Sequence, residues 1–375
     1  MRSKIVAAFA VALGIYVMLS TLPARAIPIF AQRYHLQCGQ CHSVLPELNQ
    51  FGEKFRREGY RLPLEKHGTT GIAIRYQVEW DKDPVPGSRR FAPGGIVLGN
   101  ADIGAITAFV HYSLGAGGGP SGLFLGYLAT YDKHTKTLYR GGLFELPLAQ
   151  SPGQRMDDLA PYGYYGAHVG LNDLPLSSPR WGLQIERTVG AARFDVTAAL
   201  GEFKGAAYGG RPIPTGVISS AASPELGFFV RTPVARGIEI GGEAISGKRS
   251  IAATARPIFD DAYTRMGLLA HARIDRFDFQ AEQWWGRDDD VDGFGTLQGS
   301  SGGYARLKFY PTLHSYIGIR YDAFANPFVT RDIVYYGAFH VTKHARLLLQ
   351  QVQPIGGKGE LGGAFTIGFP WPANL

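Results

Sequence analysis

Cysteine is almost absent from this chain. Two residues in 375 are cysteine, and both fall inside one five-residue motif. A disulfide scaffold is thereby excluded. Charge is sparse as well: Asp, Glu, Lys and Arg make up 18%, against about 25% in ordinary soluble domains. Beyond the first 26 residues no run approaches the ~18 consecutive apolar residues of a membrane-crossing helix, so residence in a membrane would have to be as a β-barrel. What is abundant is glycine, 50 residues, about twice its usual share. Glycine is poor in helix interiors, which weighs against a helical bundle. Hydrophobic residues at 45% exclude a disordered chain.

Residues 1–26 read as a secretory signal peptide. Arg2 and Lys4 form a basic start, Ile5 to Leu22 is mostly apolar, and Ala24-Arg25-Ala26 is an A-x-A cleavage site. The uninterrupted apolar run is short for a span. Removal of the segment takes away Arg2, Lys4 and Arg25 and no acid, so the net charge falls from +7 to +4. That mild excess does not point to a nucleic-acid partner. Export through the Sec route is the expectation.

Both cysteines lie in Cys38-Gly39-Gln40-Cys41-His42. C-x-x-C-H is the attachment pattern of c-type haem. Two thiols on one turn reach the two vinyl groups of one porphyrin, and the adjacent histidine is placed as proximal iron ligand. A zinc site would want two further Cys or His at ligand spacing, and no second cluster is present. A redox C-x-x-C would want a βαβ setting, which is also missing. The expectation is one covalent haem c held by Cys38, Cys41 and His42, with His42 the metal ligand.

A short helix follows. Pro46 suits its first turn, Leu48, Phe51 and Phe55 share a face that would pack on the haem edge, and Gly59 fits the position after its end, with Arg56 and Arg57 in the last turn. Residues 27–68 are too few to shelter a haem alone. The second axial ligand stays open between His67, Met156 and an open or other position. His35 is placed on the wrong side of the ring, and His111, His168, His271 and His340 read as wall or surface residues.

From residue 69 the sequence alternates with period two between turn clusters. Ile72, Ile74, Tyr76, Val78 and Trp80 oppose Arg75, Gln77 and Glu79. Met266, Leu268, Ala270 and Ile274 oppose Arg265, His271 and Arg273. Leu307 and Phe309 oppose Arg306 and Lys308; Ile317 and Ile319 oppose Arg320 and Asp322. Sixteen such segments begin near residues 70, 100, 122, 138, 162, 180, 192, 224, 237, 262, 276, 302, 314, 331, 344 and 359. From residue 190 on, short connectors alternate with mostly longer ones (202–223, 247–261, 287–301, 323–330), the pattern of an outer-membrane barrel. Two early connectors, 113–121 and 149–161, are too long for it. Trp80, Tyr131, Tyr139, Trp181, Tyr263 and Tyr310 fit interfacial girdles. The expected fold is therefore all-β: an antiparallel outer-membrane barrel of about 16 strands over 69–375, with a short α-helical c-type haem segment over 27–68 plugging its lumen. A secreted β-sandwich is the competing architecture.

Ile27-Pro28-Ile29-Phe30-Ala31, the C-x-x-C-H motif, Pro46-Glu47-Leu48-Asn49, Phe51-Gly52, Phe55 and Gly59-Tyr60 resemble the N-terminus of the fused outer-membrane monohaem cytochrome–porins, best known for oxidising extracellular Fe(II). The resemblance implies residence in the outer membrane of a Gram-negative bacterium, a haem plug on the periplasmic side, an external donor such as Fe(II), and a periplasmic c-type cytochrome or other soluble carrier as acceptor. It implies an electron-transfer cytochrome or Fe(II) oxidase with no acid–base catalytic residue. A diffusion porin with a haem-bearing plug or sensor is the alternative from a different class. In a predicted outer loop, Asp288, Asp290, Asp292 and Gly293 match the opening of a calcium loop, but its twelfth position is Gly299 rather than Glu. A solvated acidic hairpin tip is the plainer reading.

Overall fold

The computed structural model describes residues 30, 34, 36, 38–44, 47–62, 70–82, 91–115, 121–150, 157–160, 162–172, 175–202, 217–254, 256–312, 314–326, 328–341 and 345–370. Residues 1–26, the expected signal segment, lie outside them.

The N-terminal part is small and tightly turned. α1 (Cys38–Cys41) is one helical turn. β1 (His42–Val44) bridges β2 (Glu47–Leu48). α2 (Gln50–Arg57) follows, with Asn49 as its N-cap accepting from the Gly52 N–H at 2.9 Å. The helix thus starts after the bridge, and Leu48 belongs to β2; the expected first-turn residue Pro46 lies outside the described residues. The asparagine was the stronger start signal, because its side chain satisfies an orphan helix donor and proline cannot. Gly59 takes φ +73 directly after Glu58, the C-cap, as expected.

The period-two segments build a barrel. Its strands are β3 (Thr70–Asp81), β4 (Phe91–Ile103), β5 (Ile106–Leu114), β6 (Ser121–Asp132), β7 (Thr137–Phe144), β8 (Arg180–Val189), β9 (Ala192–Glu202), β10 (Val217–Ala235), β11 (Ile238–Ala253), β12 (Phe259–Ile274), β13 (Phe277–Asp288), β14 (Gln298–Thr312), β15 (Ser315–Asn326), β16 (Phe328–His340), β17 (Ala345–Pro354) and β18 (Glu360–Pro370). Each strand pairs antiparallel with its neighbours in sequence. β18 closes on β3, from Gly362↔Asp81 to Pro370↔Ala73. Closure leaves no edge, so every ladder can be completed.

The two faces separate as the alternation requires. Met266, Leu268, Phe277, Phe279, Leu307, Ile317 and Ile319 are exposed on the outside, while Arg265, Asp278, Glu282, Arg306, Lys308 and Arg320 are buried inside. A polar interior within an apolar outer band is the polarity of a barrel built for lipid. Tyr139 and Trp181 are exposed as girdle residues should be, but Tyr263 and Tyr310 are buried. They share parity with Arg265 and Lys308 and belong to the lumen.

The strand number matches expectation, although two errors offset each other. The segment expected near residue 100 is two strands, β4 and β5, joined by the tight turn at Gly104, φ +59. Pro93, Gly94 and Gly95 hid the start of β4. The segment expected at 162 is not a strand of the barrel; it lies in the long β7–β8 connection. With that correction the connectors at 115–120 and 145–179 fall on the long-loop end, where length is ordinary. The expected long loop at 323–330 shrinks to residue 327, because β15 and β16 pair up to Asn326↔Phe328.

The face assignment predicts an asymmetry. Leu268→Arg or Leu307→Arg places a charge on the outer face near mid-strand, and each should cost roughly 2–4 kcal/mol of folded stability in a bilayer. Urea titration of protein refolded into lipid vesicles measures this, with the heat-modifiable band as readout.

Candidate functional site in the lumen and its mouth

The C-x-x-C-H turn is braced from beneath by α2. The Asn49 backbone N–H donates to the Cys41 carbonyl at 2.8 Å, and its side-chain amide donates to the Gln40 carbonyl at 2.9 Å. A Cβ on Gly52 would collide with the same Cys41 carbonyl oxygen. Glycine is therefore required there by close approach of the two turns, whatever its backbone angles.

The donor set suits haem c in its local geometry. α1 puts Cys38 and Cys41 on one helical turn, and His42 follows at once. The Cys41 and His42 side chains are half-buried. Of the candidates for the second axial position, His67 and Met156 lie outside the described residues, as does His35. Met266 is outside the barrel altogether.

The segment sits in the mouth at the short-turn end. Phe55 is buried among Phe30, Tyr34 and Tyr60, with ring centroids at 5.4, 5.3 and 5.7 Å. Phe55 was expected to face the haem edge; its contacts in the structure are with these aromatic rings. Tyr60 stacks on Phe109 of β5 at 6.2 Å. Arg61 donates to the Gly104 carbonyl at 2.7 Å and approaches Asp102 at 3.5 Å. Both partners flank the β4–β5 turn.

Above this mouth the lumen holds the described parts of the β7–β8 connection, residues 145–150, 157–160, 162–172 and 175–179, which the sequence pattern divided into a connector at 149–161 and a strand from 162. Leu146, Leu148, Tyr162, Tyr164, Tyr165 and Leu176 pack against inward Phe229, Ile245, Tyr263, Trp284, Tyr304 and Phe324. Polar bonds fasten the crossing. Asp157 bonds Arg306 at 2.6 Å and Lys308 at 2.8 Å. Asp158 takes Arg320 at 2.8 Å, and Arg320 also holds Asp322 at 2.6 Å. The Leu159 and Ala160 N–H groups donate to Gln350 at 2.7 and 3.1 Å. Tyr165 hydroxyl donates to Glu282. On the opposite flank Asn172 donates to Asp261 at 2.8 Å and Asp288 at 3.2 Å.

Arg306 and Arg320 were expected inward, and they are, but what they hold is the crossing loop. The N-terminal segment lies lower, with contacts to β5, β6, β7 and the β4–β5 turn. Alternation shows which side a residue faces and carries no information about what fills the space. A signal was available in 157–165: two aspartates followed by Tyr162, Tyr164 and Tyr165 are out of place in a solvated loop.

The acidic loop carries no calcium geometry. Asp288 ends β13, buried against Arg265 at 2.8 Å. Asp290 accepts from Gly293 and Gly295 N–H at 2.7 and 3.0 Å, and Asp292 from Phe294 N–H at 3.0 Å. The carboxylates close their own hairpin tip. Among the described residues no cluster of three His, Cys, Asp or Glu is spaced to hold a metal ion.

No protein-family model matches the chain, and no curated protein sequence matches it. Solved structures do. An anion-selective porin from Comamonas acidovorans aligns with a TM-score of 0.57 at 11% identity, over 82% of this chain and 100% of its own. OmpF of Salmonella typhi, in complex with daunomycin, aligns at 0.54 and 10% over 80% and 97%. OmpT of Vibrio cholerae aligns at 0.51 and 9% over 83% and 100%. The fold is that of a porin: a closed antiparallel barrel of 16 strands.

Asp157 supplies the test of the crossing loop. Burial opposes its charge, but Lys308 and Arg306 overcome this and hold its carboxyl down at about 2, below the ordinary carboxylate value. A depressed acid stabilises fully above its unfolded pKa and loses that contribution as pH falls through the folded value. The anchor should therefore hold above about pH 4 and loosen between there and about pH 2. Asp157→Ala should cost about 3 kcal/mol, the low end for a broken buried pair, because Asp278 also faces Arg306 at 3.5 Å. Asp289→Ala, whose pair with Arg287 is exposed, should cost under about 1 kcal/mol. Chemical denaturation in detergent compares the two.

Proposed function

We propose that this chain is a porin-type barrel of a Gram-negative outer membrane that carries one covalently attached haem c in its periplasmic mouth and passes electrons across the membrane. An external donor such as Fe(II) would deliver the electron, and a soluble periplasmic c-type cytochrome would remove it. The observation that carries this reading is the Cys38-Gly39-Gln40-Cys41-His42 turn, braced by Asn49 and Gly52, at the short-turn mouth of a closed barrel. Haem, when attached, supplies the redox change. Potential would follow from axial ligation, burial and nearby charge. The chain's own residues hold the turn, exclude water with Phe30, Phe55, Tyr60 and Phe109, and narrow the lumen above with the described residues of the β7–β8 connection. No acid–base catalyst is needed.

The barrel by itself favours a second reading, a diffusion porin whose haem-bearing segment is a plug or sensor. One of the similar solved structures is named an anion-selective porin, and a 16-strand barrel has room for an aqueous channel. The buried ion pairs of the crossing loop speak for a narrow path.

Two measurements decide between the readings. Full-length protein in liposomes, with Fe(II) outside only, should show haem reduction by stopped-flow absorbance and little ohmic conductance in planar bilayers. Large conductance in haem-loaded protein without haem reduction would establish the diffusion porin. Cys41→Ala should lose complete thioether attachment; a normal pyridine haemochrome in that variant would remove the haem assignment altogether.

A further inference from the structure

A histidine of the barrel wall stands at the same end of the barrel as His42. His340 lies at the short-turn end of β16, on the inward parity of Val334, Tyr336 and Ala338. Its backbone N–H donates to the His314 carbonyl at 3.0 Å, and its ring Nδ1 meets the same oxygen at 3.1 Å. A carbonyl can only accept, so Nδ1 carries the proton and Nε2 carries the lone pair. This is the arrangement that orients most metal-binding histidines: one ring nitrogen donates to a backbone carbonyl and the other is left basic. The segment that carries His42 sits in the mouth at this same short-turn end. The plug thus brings the histidine of the C-x-x-C-H motif and a tautomer-locked wall histidine to the same mouth.

We propose that His340 is the second axial ligand of the haem carried by Cys38, Cys41 and His42, so that the wall completes the coordination of the plug. The inference rests on the haem reading above. It replaces His67, Met156 and an open position as the expected partner, and it explains how a segment too small to shelter a haem would be locked into its barrel: the bond to iron would itself join segment and wall. His314 acts as a positioning residue through its main-chain carbonyl.

His111 is the rival within the lumen. It is buried on β5 with its ring against Phe124 at 5.0 Å, and its Nε2 has no hydrogen-bond partner among the described residues. Its charged neighbour is Arg75 on β3. The two histidines stand on different walls, which makes them separable by substitution.

The test uses haem-loaded full-length protein in detergent. Pyridine haemochrome first establishes covalent haem in the wild type and every variant; its absence from the wild type would end the haem reading itself and take this one with it. Heat-modifiability confirms that each variant is folded. The wild-type ferric protein should be low-spin by absorption and electron paramagnetic resonance. His340→Ala should become high-spin at unchanged haem content and return to low-spin on addition of imidazole. His340→Met should show methionine-to-iron charge transfer and a raised reduction potential. His111→Ala should match the wild type. The inference falls if the wild type is high-spin, if His340→Ala stays low-spin without imidazole, or if His111→Ala is the variant that changes spin state.

Discussion

Everything in this molecule follows from the closure of β18 on β3. A backbone in hydrocarbon has no water to satisfy its N–H and C=O groups, so a sheet can span only if its last strand completes the first. The nine-residue register from Gly362↔Asp81 to Pro370↔Ala73 does this. Once the sheet is closed, the two-residue period leaves each side chain only two destinations. Leu268 and Leu307 go to the outside, and Arg265 and Arg306 are committed to the lumen with no choice of neighbour.

That commitment creates a second problem. Arg180, Arg306, Lys308 and Arg320 are buried, and buried charges without partners cost several kcal/mol each. Part of the answer comes from the wall, through Glu225, Asp278 and Asp322. The rest comes from the β7–β8 connection, through its Asp157 and Asp158. Tyrosines suit the same task. Tyr162 lies under the Arg320 guanidinium at 3.8 Å, and Tyr165 gives its hydroxyl to Glu282. The crossing loop is thus as much a counter-charge for the wall as an obstruction of the lumen.

The legibility of the sequence divides along this line. Faces were readable because parity is local: Met266 and Leu268 against Arg265, or Ile317 and Ile319 against Arg320, needed no knowledge of the rest. The spacing of the C-x-x-C-H motif is chemical, and the structure gives it a helical turn over Cys38–Cys41. What parity could not reveal was the filling of the lumen. Tyr263 and Tyr310 looked like girdle residues, since an aromatic near a strand end suits either face. Tyr162 and Tyr164 alternate as a strand would, but their partners, Tyr304 and Trp284, lie more than a hundred residues away. The brace of Asn49 and Gly52 under Cys41 was equally hidden, because a close approach of two turns leaves no periodic trace.

The two functional readings are less independent than their classes suggest. On the electron-transfer reading the haem sits at the short-turn mouth, near a periplasmic carrier and far from the outer loops. An external donor must then cover most of the barrel's height, and in lipid that height is about 25 Å. The inner wall on the way is lined by paired charges and hydroxyls such as Arg320 with Asp158, Arg265 with Asp288 and the Tyr165–Glu282 bond. These groups are buried, so they fasten the loop to the wall rather than lining an open path. On the electron-transfer reading the donor's entry path would be whatever width of the porin-type lumen the crossing loop leaves. On the same reading a haem at its base would turn a route for diffusion into one that ends in oxidation, with the crossing loop setting how large an ion arrives there.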